Sequence, residues 1–212
     1  MKKVLVVDND QLILEFLKDA LLREGNEVKT AKDGLEALEI LKTYRPDIIF
    51  LDLVMPKIDG KKLCRIIRET EGLEDKVVVV LSAVAAEEEI DSADLGVNMC
   101  IAKGRIEETA ENVIRAVREA ESASAQRKAE GLVGGNKVKA RRSALELLAM
   151  KKHFETMLEK MAEGILEVTP DGTVVYANSA ALAMLRRNEK GLLGTKFCDF
   201  FGTSLSNRMS KL

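Results

Sequence analysis

The sequence has no tryptophan and only two tyrosines and six phenylalanines among its 212 residues. Proteins that bind single-stranded nucleic acid stack bases on aromatic rings, and this chain has few rings to offer. Lysine and arginine total 33 against 35 aspartates and glutamates, which gives a net charge of −2. Without an excess of positive charge, the chain lacks the attraction that nucleic-acid and membrane-surface binders use. We therefore expect neither nucleic acid nor a membrane as a partner.

Long apolar runs are also missing. Uninterrupted apolar stretches such as Val77–Leu81 are far shorter than the roughly 20 residues that a membrane helix needs. The basic start is followed by only four apolar residues before Asp8, too few for the core of a signal peptide. The last three residues, 210–212, match a peroxisomal address, but so short a match often arises by chance. We expect no membrane span and a cytoplasmic location.

Cysteine is scarce. Cys64, Cys100 and Cys198 are odd in number and widely spaced, which fits neither a disulfide framework nor a paired-cysteine zinc site. We expect them to be reduced thiols in the core. The chain is otherwise ordinary, with 46% hydrophobic and 32% charged residues, so a buried core can form.

Short apolar runs alternate with amphipathic stretches up to about Glu121, which predicts strand–helix repeats in a parallel sheet. The helical patterns carry apolar residues at three- and four-residue spacing, and the fourth of them, near Ile90, is the weakest. We predict five βα units. The predicted strands are Lys3–Val7, Glu27–Ala31, Ile48–Leu51, Val77–Leu81 and Met99–Ala102.

The composition changes between Ser122 and Lys152, where there are eight lysines or arginines but only two glutamates. Three glycines also interrupt the helical pattern in this segment. This composition predicts a linker. Apolar residues then recur at the 3-4-3-4 spacing of a coiled-coil seam. An amphipathic helix packed on its own domain would give the same pattern, and two heptads are too few to decide. The seam consists of Leu147, Met150, Phe154, Met157 and Met161.

A hairpin pattern follows the seam. Gly164–Val168 and Thr173–Tyr176 are predicted as short strands, joined by a Pro-Asp-Gly turn at 170–172. Asn178 is a residue type that caps helices, and the apolar residues after it mark one face of a predicted helix. An open strand edge and the preceding seam together lead us to expect a homodimer held by residues after 140.

Polar residues stand where the predicted parallel strands end, and ligands of such open sheets bind at that edge. Carboxylates at Asp8 and Asp52 would repel each other unless a cation lay between them. Mg²⁺ prefers such oxygen ligands and is often shared with phosphate, while a lysine and a hydroxyl can stabilise a phosphoryl group. The arrangement predicts phosphoryl transfer to a carboxylate. The strand-end residues are Asp8, Asn9, Asp10, Asp52, Ser82 and Lys103.

With these residues in place, the segment 1–121 resembles the receiver domain of response regulators from bacterial two-component signalling. The string LDLVMPKIDG is similar to the phosphoacceptor segment of that family. The resemblance implies a flavodoxin-like (βα)5 α/β fold, with Asp52 as phosphoacceptor, Ser82 as switch hydroxyl and Lys103 as the site lysine. It also implies a histidine kinase or phosphotransfer protein as phosphodonor.

The resemblance further implies a Mg²⁺ ion as cofactor. Its protein ligands would be Asp8, Asn9, Asp52 and the backbone carbonyl of Val54, with Asp10 as an additional candidate ligand.

Three positions depart from the usual receiver pattern. Asn9 stands where a second acid is usual, so its amide oxygen can coordinate a metal but brings no charge. Gly104 follows the site lysine in place of a proline, and Cys100 occupies the position of an aromatic switch residue. We expect weaker magnesium binding and a muted conformational response.

The stretch from about Met161 to Phe201 resembles the first half of a PAS sensor domain. The later strands that wall the ligand pocket of that family are missing, so we expect neither heme nor flavin. A generic hairpin capped by a helix would give a similar pattern. We divide the chain into a receiver at 1–121, a helical linker at 122–163 and an incomplete α+β PAS-like module at 164–212.

Two other functions fit part of the pattern. Asp8-Asn9-Asp10 mimics the nucleophile motif of haloacid-dehalogenase-like phosphatases, but that function would leave Asp52 without a role. The departures at 9, 100 and 104 would suit an unphosphorylated receiver that acts as a protein-binding scaffold. His153 lacks a histidine-kinase sequence around it, so we interpret it as a solvated helix residue. We expect a signalling protein and not an enzyme.

Overall fold

The structure is a computed structural model that describes residues 1–82, 96–122, 132–133, 150 and 153–201. The chain divides into two units, Met1–Leu145 and Glu146–Leu212. No helix within the described residues is both long and apolar enough to cross a bilayer.

The first unit contains a six-stranded sheet in which every neighbouring pair of strands is parallel. The strand order is β2-β1-β3-β4-β5-β6, so the order reverses between β1 and β3. The open, doubly wound flavodoxin-like fold is therefore confirmed. The strands are β1 Lys3–Val7, β2 Glu27–Ala31, β3 Ile48–Asp52, β4 Val77–Ser82, β5 Met99–Ala102 and β6 Leu132–Val133.

Strand β6 was not predicted from the sequence. Its two residues lie in the glycine-interrupted segment that composition assigns to a linker, and they pair with Cys100 and Ile101 of β5. A two-residue strand leaves no hydrophobic alternation to detect, which explains why the pattern missed it.

Four helices accompany this sheet: α1 Gln11–Arg23, α2 Gly34–Thr43, α3 Gly60–Arg68 and α4 Ile106–Ser122. The first three each begin directly after an aspartate whose carboxylate accepts backbone N–H groups of the first turn. Such caps satisfy donors that the helix itself leaves unused. The capping residues are Asp10, Asp33 and Asp59. The weak helical pattern near Ile90 lies outside the described residues.

The central strands are buried on both faces, which accounts for their continuous apolar sequence. On one face the strand residues pack with α1 and α4 in a single apolar cluster. Cys64 and Cys100 are buried, as expected, whereas Cys198 is exposed. The expectation of a core position is wrong for Cys198, because it begins a short surface helix in the second unit. The cluster includes Val4, Val6, Leu17, Leu21, Phe50, Leu81, Ile101, Val113 and Val117.

The second unit contains a helix over 153–160, named α5, and a two-stranded antiparallel hairpin. The hairpin strands are β7 Leu166–Val168 and β8 Val174–Ala177, each starting slightly later than predicted. Three short helices follow: α6 Ser179–Leu185, α7 Glu189–Leu192 and α8 Cys198–Phe201. This arrangement confirms a small α+β module.

The predicted seam is exposed wherever the structure describes it. Met150, Phe154, Met157 and Met161 are 59%, 58%, 52% and 43% exposed, and Leu147 lies outside the described residues. The described part of the second unit therefore does not cover this apolar face.

Asn178 connects the parts of the second unit. Its side chain is fully buried, and its amide nitrogen donates to the carbonyl oxygens of Leu158 and Glu163 at 3.0 and 2.9 Å. Its amide oxygen accepts from the backbone N–H groups of Ile165 and Ala181, both at 2.9 Å. Asn178 caps α6, as its residue type predicted, and also ties α5 to the hairpin.

Candidate functional site

The carboxyl ends of the central strands bring the predicted residues to one edge of the sheet. Asp8 directly follows β1, and Asp52 is the last residue of β3. Asp52 lies in register with Leu81, so Ser82 at the end of β4 comes one residue further along. The edge lies at the point where the strand order reverses, which is where open sheets of this kind bind ligands.

Lys103 joins the two carboxylates. Its Nζ lies 2.7 Å from Oδ2 of Asp8 and 2.7 Å from Oδ2 of Asp52. The contact with Asp52 is a hydrogen bond, whereas the contact with Asp8 is an ion pair without hydrogen-bonding geometry. The three side chains are 13%, 0% and 8% exposed, in the order Lys103, Asp8, Asp52. Charges this deeply buried persist only when opposite charges compensate them.

The electrostatics of this cluster follow from burial. Burial is the largest influence on Asp8 and raises its pKa, although the charge of Lys103 opposes the increase. For Lys103, burial alone lowers the pKa, but the nearby charges of Asp52 and Asp8, together with the hydrogen bond to Asp52, outweigh it, so the pKa is raised. Lys103 therefore stays protonated and serves as the resident cation of the site.

Backbone contacts hold Asp52 and its strand end in place. Oδ1 of Asp52 accepts the backbone N–H of Val54 at 3.1 Å. Gly60 packs directly against this turn, because a Cβ atom there would come within 2.2 Å of the Asp52 carbonyl oxygen. Only glycine permits so close an approach, which accounts for the Asp-Gly step that begins α3.

Ser82 and Lys103 are held next to each other by backbone pairing. The N–H of Lys103 donates to the carbonyl oxygen of Ser82 at 2.9 Å, and Ser82 is buried. After Lys103, the N–H of Gly104 donates to Oγ1 of Thr109 at 3.2 Å. Thr109 therefore anchors the loop in which the sequence lacks the usual proline.

Asn9 and Asp10 are exposed, unlike Asp8. The Asp10 carboxylate accepts the N–H groups of Leu12 and Ile13 through Oδ1 at 2.9 and 3.4 Å, so it caps α1. The N–H of Asp10 in turn donates to Oδ1 of Asp8 at 3.0 Å.

The donor atoms at this edge suit a hard cation. The described residues include no cluster of three or more histidine, cysteine, aspartate or glutamate side chains arranged as metal ligands. Two carboxylates, at Asp8 and Asp52, converge on Lys103 instead. Asn9 follows Asp8 in the chain, and Val54 donates its N–H to Asp52, so each adds a neutral oxygen-bearing residue to these segments. An all-oxygen set of this kind is the type that Mg²⁺ uses, so the residues fit that ion.

Sequence reasoning missed two features. It did not foresee that Lys103 contacts both carboxylates, because spacing along a chain carries no information about side-chain reach. It also overlooked Asp33, a buried carboxylate whose Oδ2 lies 2.6 Å from Nζ of Lys57 in the loop after Asp52. The Asp-Gly step shared by residues 33–34 and 59–60 was the signal available for this second feature.

Comparisons with known proteins agree with this geometry. A family model described as the response regulator receiver domain matches residues 4–117, and one described as the PAS fold matches residues 152–209. Response regulator MprA of Mycobacterium sp. strain KMS is 36% identical over 94 residues, which cover 44% of this chain and 40% of that protein. MprA of Mycobacterium ulcerans is 37% identical over the same length. The match thus spans less than half of these relatives.

Solved structures are similar over the first part of the chain. Chemotaxis response regulator CheY4 of Vibrio cholerae is 28% identical, with a TM-score of 0.51, over 55% of this chain and 98% of that chain. The Francisella response regulator 1452 receiver domain is 31% identical, with a TM-score of 0.50, over 58% and 99%. The Mn²⁺-bound form of response regulator Rcp1 is 25% identical, with a TM-score of 0.50, over 61% and 100%. The chain belongs to the response regulator receiver family through its first unit, and its second unit contains the match to the PAS fold.

Proposed function

We propose that Asp52 accepts a phosphoryl group in a Mg²⁺-dependent reaction and that the chain relays this modification in two-component signalling. The observation that carries the proposal is the pair of 2.7 Å contacts from Lys103 to Asp8 and Asp52 at the carboxyl edge of the sheet. A buried carboxylate beside a fixed cation is suited to accept a phosphoryl group, because the cation offsets the added negative charge.

The reaction needs few groups from the protein. A carboxylate oxygen of Asp52 forms the new P–O bond as the P–N bond of a phosphohistidine donor breaks, and the departing imidazole takes up a proton from solvent. Lys103 neutralises charge on the transferred group, and the Ser82 hydroxyl donates a hydrogen bond to one of its oxygens. Asp8, Asn9, Asp52 and the carbonyl of Val54 would hold Mg²⁺, which supplies further neutralisation of phosphoryl charge. Asp10, whose carboxylate caps α1, is an additional candidate ligand of the ion.

Two comparisons support this proposal. The related receivers are response regulators, so a histidine kinase or a phosphotransfer protein is the phosphodonor that we propose. The Mn²⁺-bound form of Rcp1 shows a divalent cation in one similar receiver, and it supports a divalent cation here. Because such donors phosphorylate regulators inside the cell, we also propose a cytoplasmic location for this chain.

The receiver match decides against a haloacid-dehalogenase-like phosphatase as the family of this chain. The unphosphorylated scaffold remains as a second candidate because of Asn9, which puts a neutral amide next to Asp8 at the proposed metal site. Asn9→Asp would add a third negative ligand and should tighten Mg²⁺ binding. Equal or weaker binding in calorimetric titration would show that position 9 does not face the ion.

Intact-mass measurement separates the two candidates. The full chain is incubated with Mg²⁺ and a small phosphodonor, and Asp52→Asn is treated in the same way as a control. We expect one added phosphoryl group on the unchanged protein and none on the variant, since the amide of asparagine cannot form the acyl phosphate. Absence of added phosphate on the chain without the substitution would support the scaffold. Addition of phosphate to Asp52→Asn would refute Asp52 as acceptor.

The second unit supports a homodimer formed by residues after 140. The exposed residues Phe154, Met157 and Met161 form an apolar face on and just beyond α5. In the described residues, β7 pairs only with β8, whereas the other edge of β8 is bonded to the segment 194–197. An open strand edge and an apolar helical face both favour association with a second copy. We propose that 1–121 is the receiver, 122–163 the connector and 164–212 the PAS-like part.

A further inference from the structure

The loop after the phosphoacceptor, residues 53–59, is closed at its base by backbone contacts. The N–H of Gly60 donates to the carbonyl oxygen of Leu53 at 3.2 Å. Asp59 caps α3 by accepting the N–H of Lys62 at 2.9 Å. The base of the loop is therefore fixed by residues that also define the start of α3.

The tip of the loop has a strained backbone. Lys57 has a φ angle of 63°, and it is one of two non-glycine residues with positive φ in the described part of the chain. Residues with a Cβ atom disfavour this left-handed conformation. Some other interaction must therefore select the observed backbone at Lys57.

The side chain of Lys57 supplies that interaction. Its Nζ lies 2.6 Å from Oδ2 of Asp33, whose side chain is only 3% exposed. The other carboxylate oxygen of Asp33 accepts the N–H of Glu36 at 2.8 Å and so caps α2. Removing the lysine would leave a buried carboxylate without its cation, which is strongly unfavourable.

Backbone packing reinforces the same contact. A Cβ atom at Gly34 would lie 2.3 Å from the carbonyl oxygen of Ile58, so the loop rests directly on the start of α2. Met55 and Ile58, both in the loop, have buried side chains. The ion pair and this packing act on neighbouring residues of one loop, and together they fix the loop to α2.

We propose that the Lys57–Asp33 ion pair is a latch that positions the 53–59 loop for Mg²⁺ binding. The inference rests on the proposed function, because the loop carries the Val54 carbonyl that is proposed as a metal ligand. Lys57 is a positioning residue and contacts no reacting group. The ion pair holds the loop in one conformation before the ion binds. Metal binding then does not have to order the loop, so the free energy of binding is more favourable.

The direction in which Lys57→Asn changes the affinity for Mg²⁺ distinguishes the latch from a simple electrostatic effect of the Lys57 charge. Lys57→Asn removes a positive charge, and loss of a nearby cation should by itself strengthen Mg²⁺ binding. Asparagine also tolerates positive φ, so backbone strain does not increase. A latch predicts the opposite result: Lys57→Asn should weaken Mg²⁺ binding about tenfold, the lower end of the usual range for residues that support metal ligands.

The test is calorimetric titration of the full chain with Mg²⁺ alone, together with hydrogen exchange of residues 53–58 without metal. Lys57→Asn should weaken binding and speed exchange of this loop, and Lys57→Arg should restore both. Asp33→Asn keeps a capping side chain and tests the pair from the other partner. The double variant with Lys57→Asn and Asp33→Asn keeps the net charge unchanged. It should show the same weaker Mg²⁺ binding and faster loop exchange as Lys57→Asn. Lys42→Asn is the matched control, because it breaks an exposed ion pair with Glu39 on α2.

Unchanged or tighter Mg²⁺ binding in Lys57→Asn would overturn the latch, and so would unchanged exchange of the loop. Absence of Mg²⁺ binding by the unaltered protein would overturn it as well. Failure of phosphate uptake alone would refute the proposed function and leave the latch standing if the binding and exchange differences are found. If Lys57→Asn does not fold, Asp33→Asn decides by the same two measurements.

Discussion

The two units of the chain differ in whether charged groups are buried and in whether apolar surface is exposed. The first unit buries Asp8, Asp52 and Lys103 among strands that are covered on both faces. The second unit buries an uncharged hub, Asn178, and leaves an apolar face with Phe154 exposed. Buried charge is costly and is tolerated where a large core supports it, whereas exposed apolar surface indicates a partner. The first unit therefore holds the charged cluster to which we assign the proposed chemistry, and the second holds the apolar face to which we assign the proposed association.

The largest effect should come from removing the cation of the first unit. Lys103→Met leaves two buried carboxylates facing each other, so we expect the free energy of unfolding to fall by about 3 kcal/mol or more at neutral pH. Chemical denaturation without Mg²⁺ measures it. Lys76→Met is the control, since it breaks a half-buried, 3.9 Å contact with Asp47 that lies outside the site.

The pH dependence of Lys103→Met follows from Asp8. Burial raises the pKa of Asp8, and removing Lys103 removes the attraction that opposes this increase. A carboxyl group whose folded pKa lies above its unfolded value stabilises the fold at low pH, and that contribution disappears as the pH rises through the folded pKa. The deficit of the variant should therefore shrink on acidification. A deficit that grows at low pH would contradict the assigned charges.

The next largest effect should come from removing the side chain of Asn178, which connects α5, the hairpin and α6 in the second unit. Asn178→Ala removes two donated and two accepted hydrogen bonds around a fully buried side chain. Each backbone group left unsatisfied costs about 1–3 kcal/mol, so we expect the second unit to lose most of its stability. Hydrogen exchange resolved by residue would show faster exchange in α5 and β7. Asn188→Ala, which removes only an exposed cap, should have a far smaller effect.

A third prediction addresses the apolar face. Phe154→Glu places a charge at a position where the side chain is 58% exposed. The free energy of unfolding of the second unit by itself should therefore change by less than about 0.5 kcal/mol. A dimer built on this face should dissociate, because the charge would be buried in the interface. Sedimentation of the full chain measures the association, with Lys160→Glu as a charge control. A monomeric unaltered chain at micromolar concentration would contradict the proposed dimer.

The smallest predicted effect is on Tyr176. Burial, followed by the nearby Glu159 carboxylate, raises the pKa of Tyr176 to about 12. The hydroxyl donates to Oε1 of Glu159 at 3.1 Å, while the other oxygen of this carboxylate accepts from the N–H and hydroxyl of Ser179. Glu159→Gln should lower the pKa of Tyr176 but keep it above its ordinary value, because burial persists. Spectrophotometric titration checks this, with Tyr176→Phe to identify the signal of the other tyrosine.

Much of the first unit was predictable because its strands are continuous apolar runs and its functional residues stand at strand ends. Five of its six strands were placed to within a residue. The hairpin of the second unit was predictable from its Pro-Asp-Gly turn, although β7 begins two residues later than Gly164. The exposure of Cys198 was not predictable, because a cysteine between Phe197 and Asp199 carries no periodic signal.

The sequence by itself determined the parallel sheet and the set of strand-end residues, because hydrophobic period and residue type act locally. Only the tertiary structure decided that Lys103 reaches both Asp8 and Asp52 and that Lys57 reaches Asp33. It also decided that the apolar face with Phe154 stays uncovered in the described residues. Distances between side chains that are far apart in sequence depend on how the strands and helices pack, and no local pattern encodes that packing.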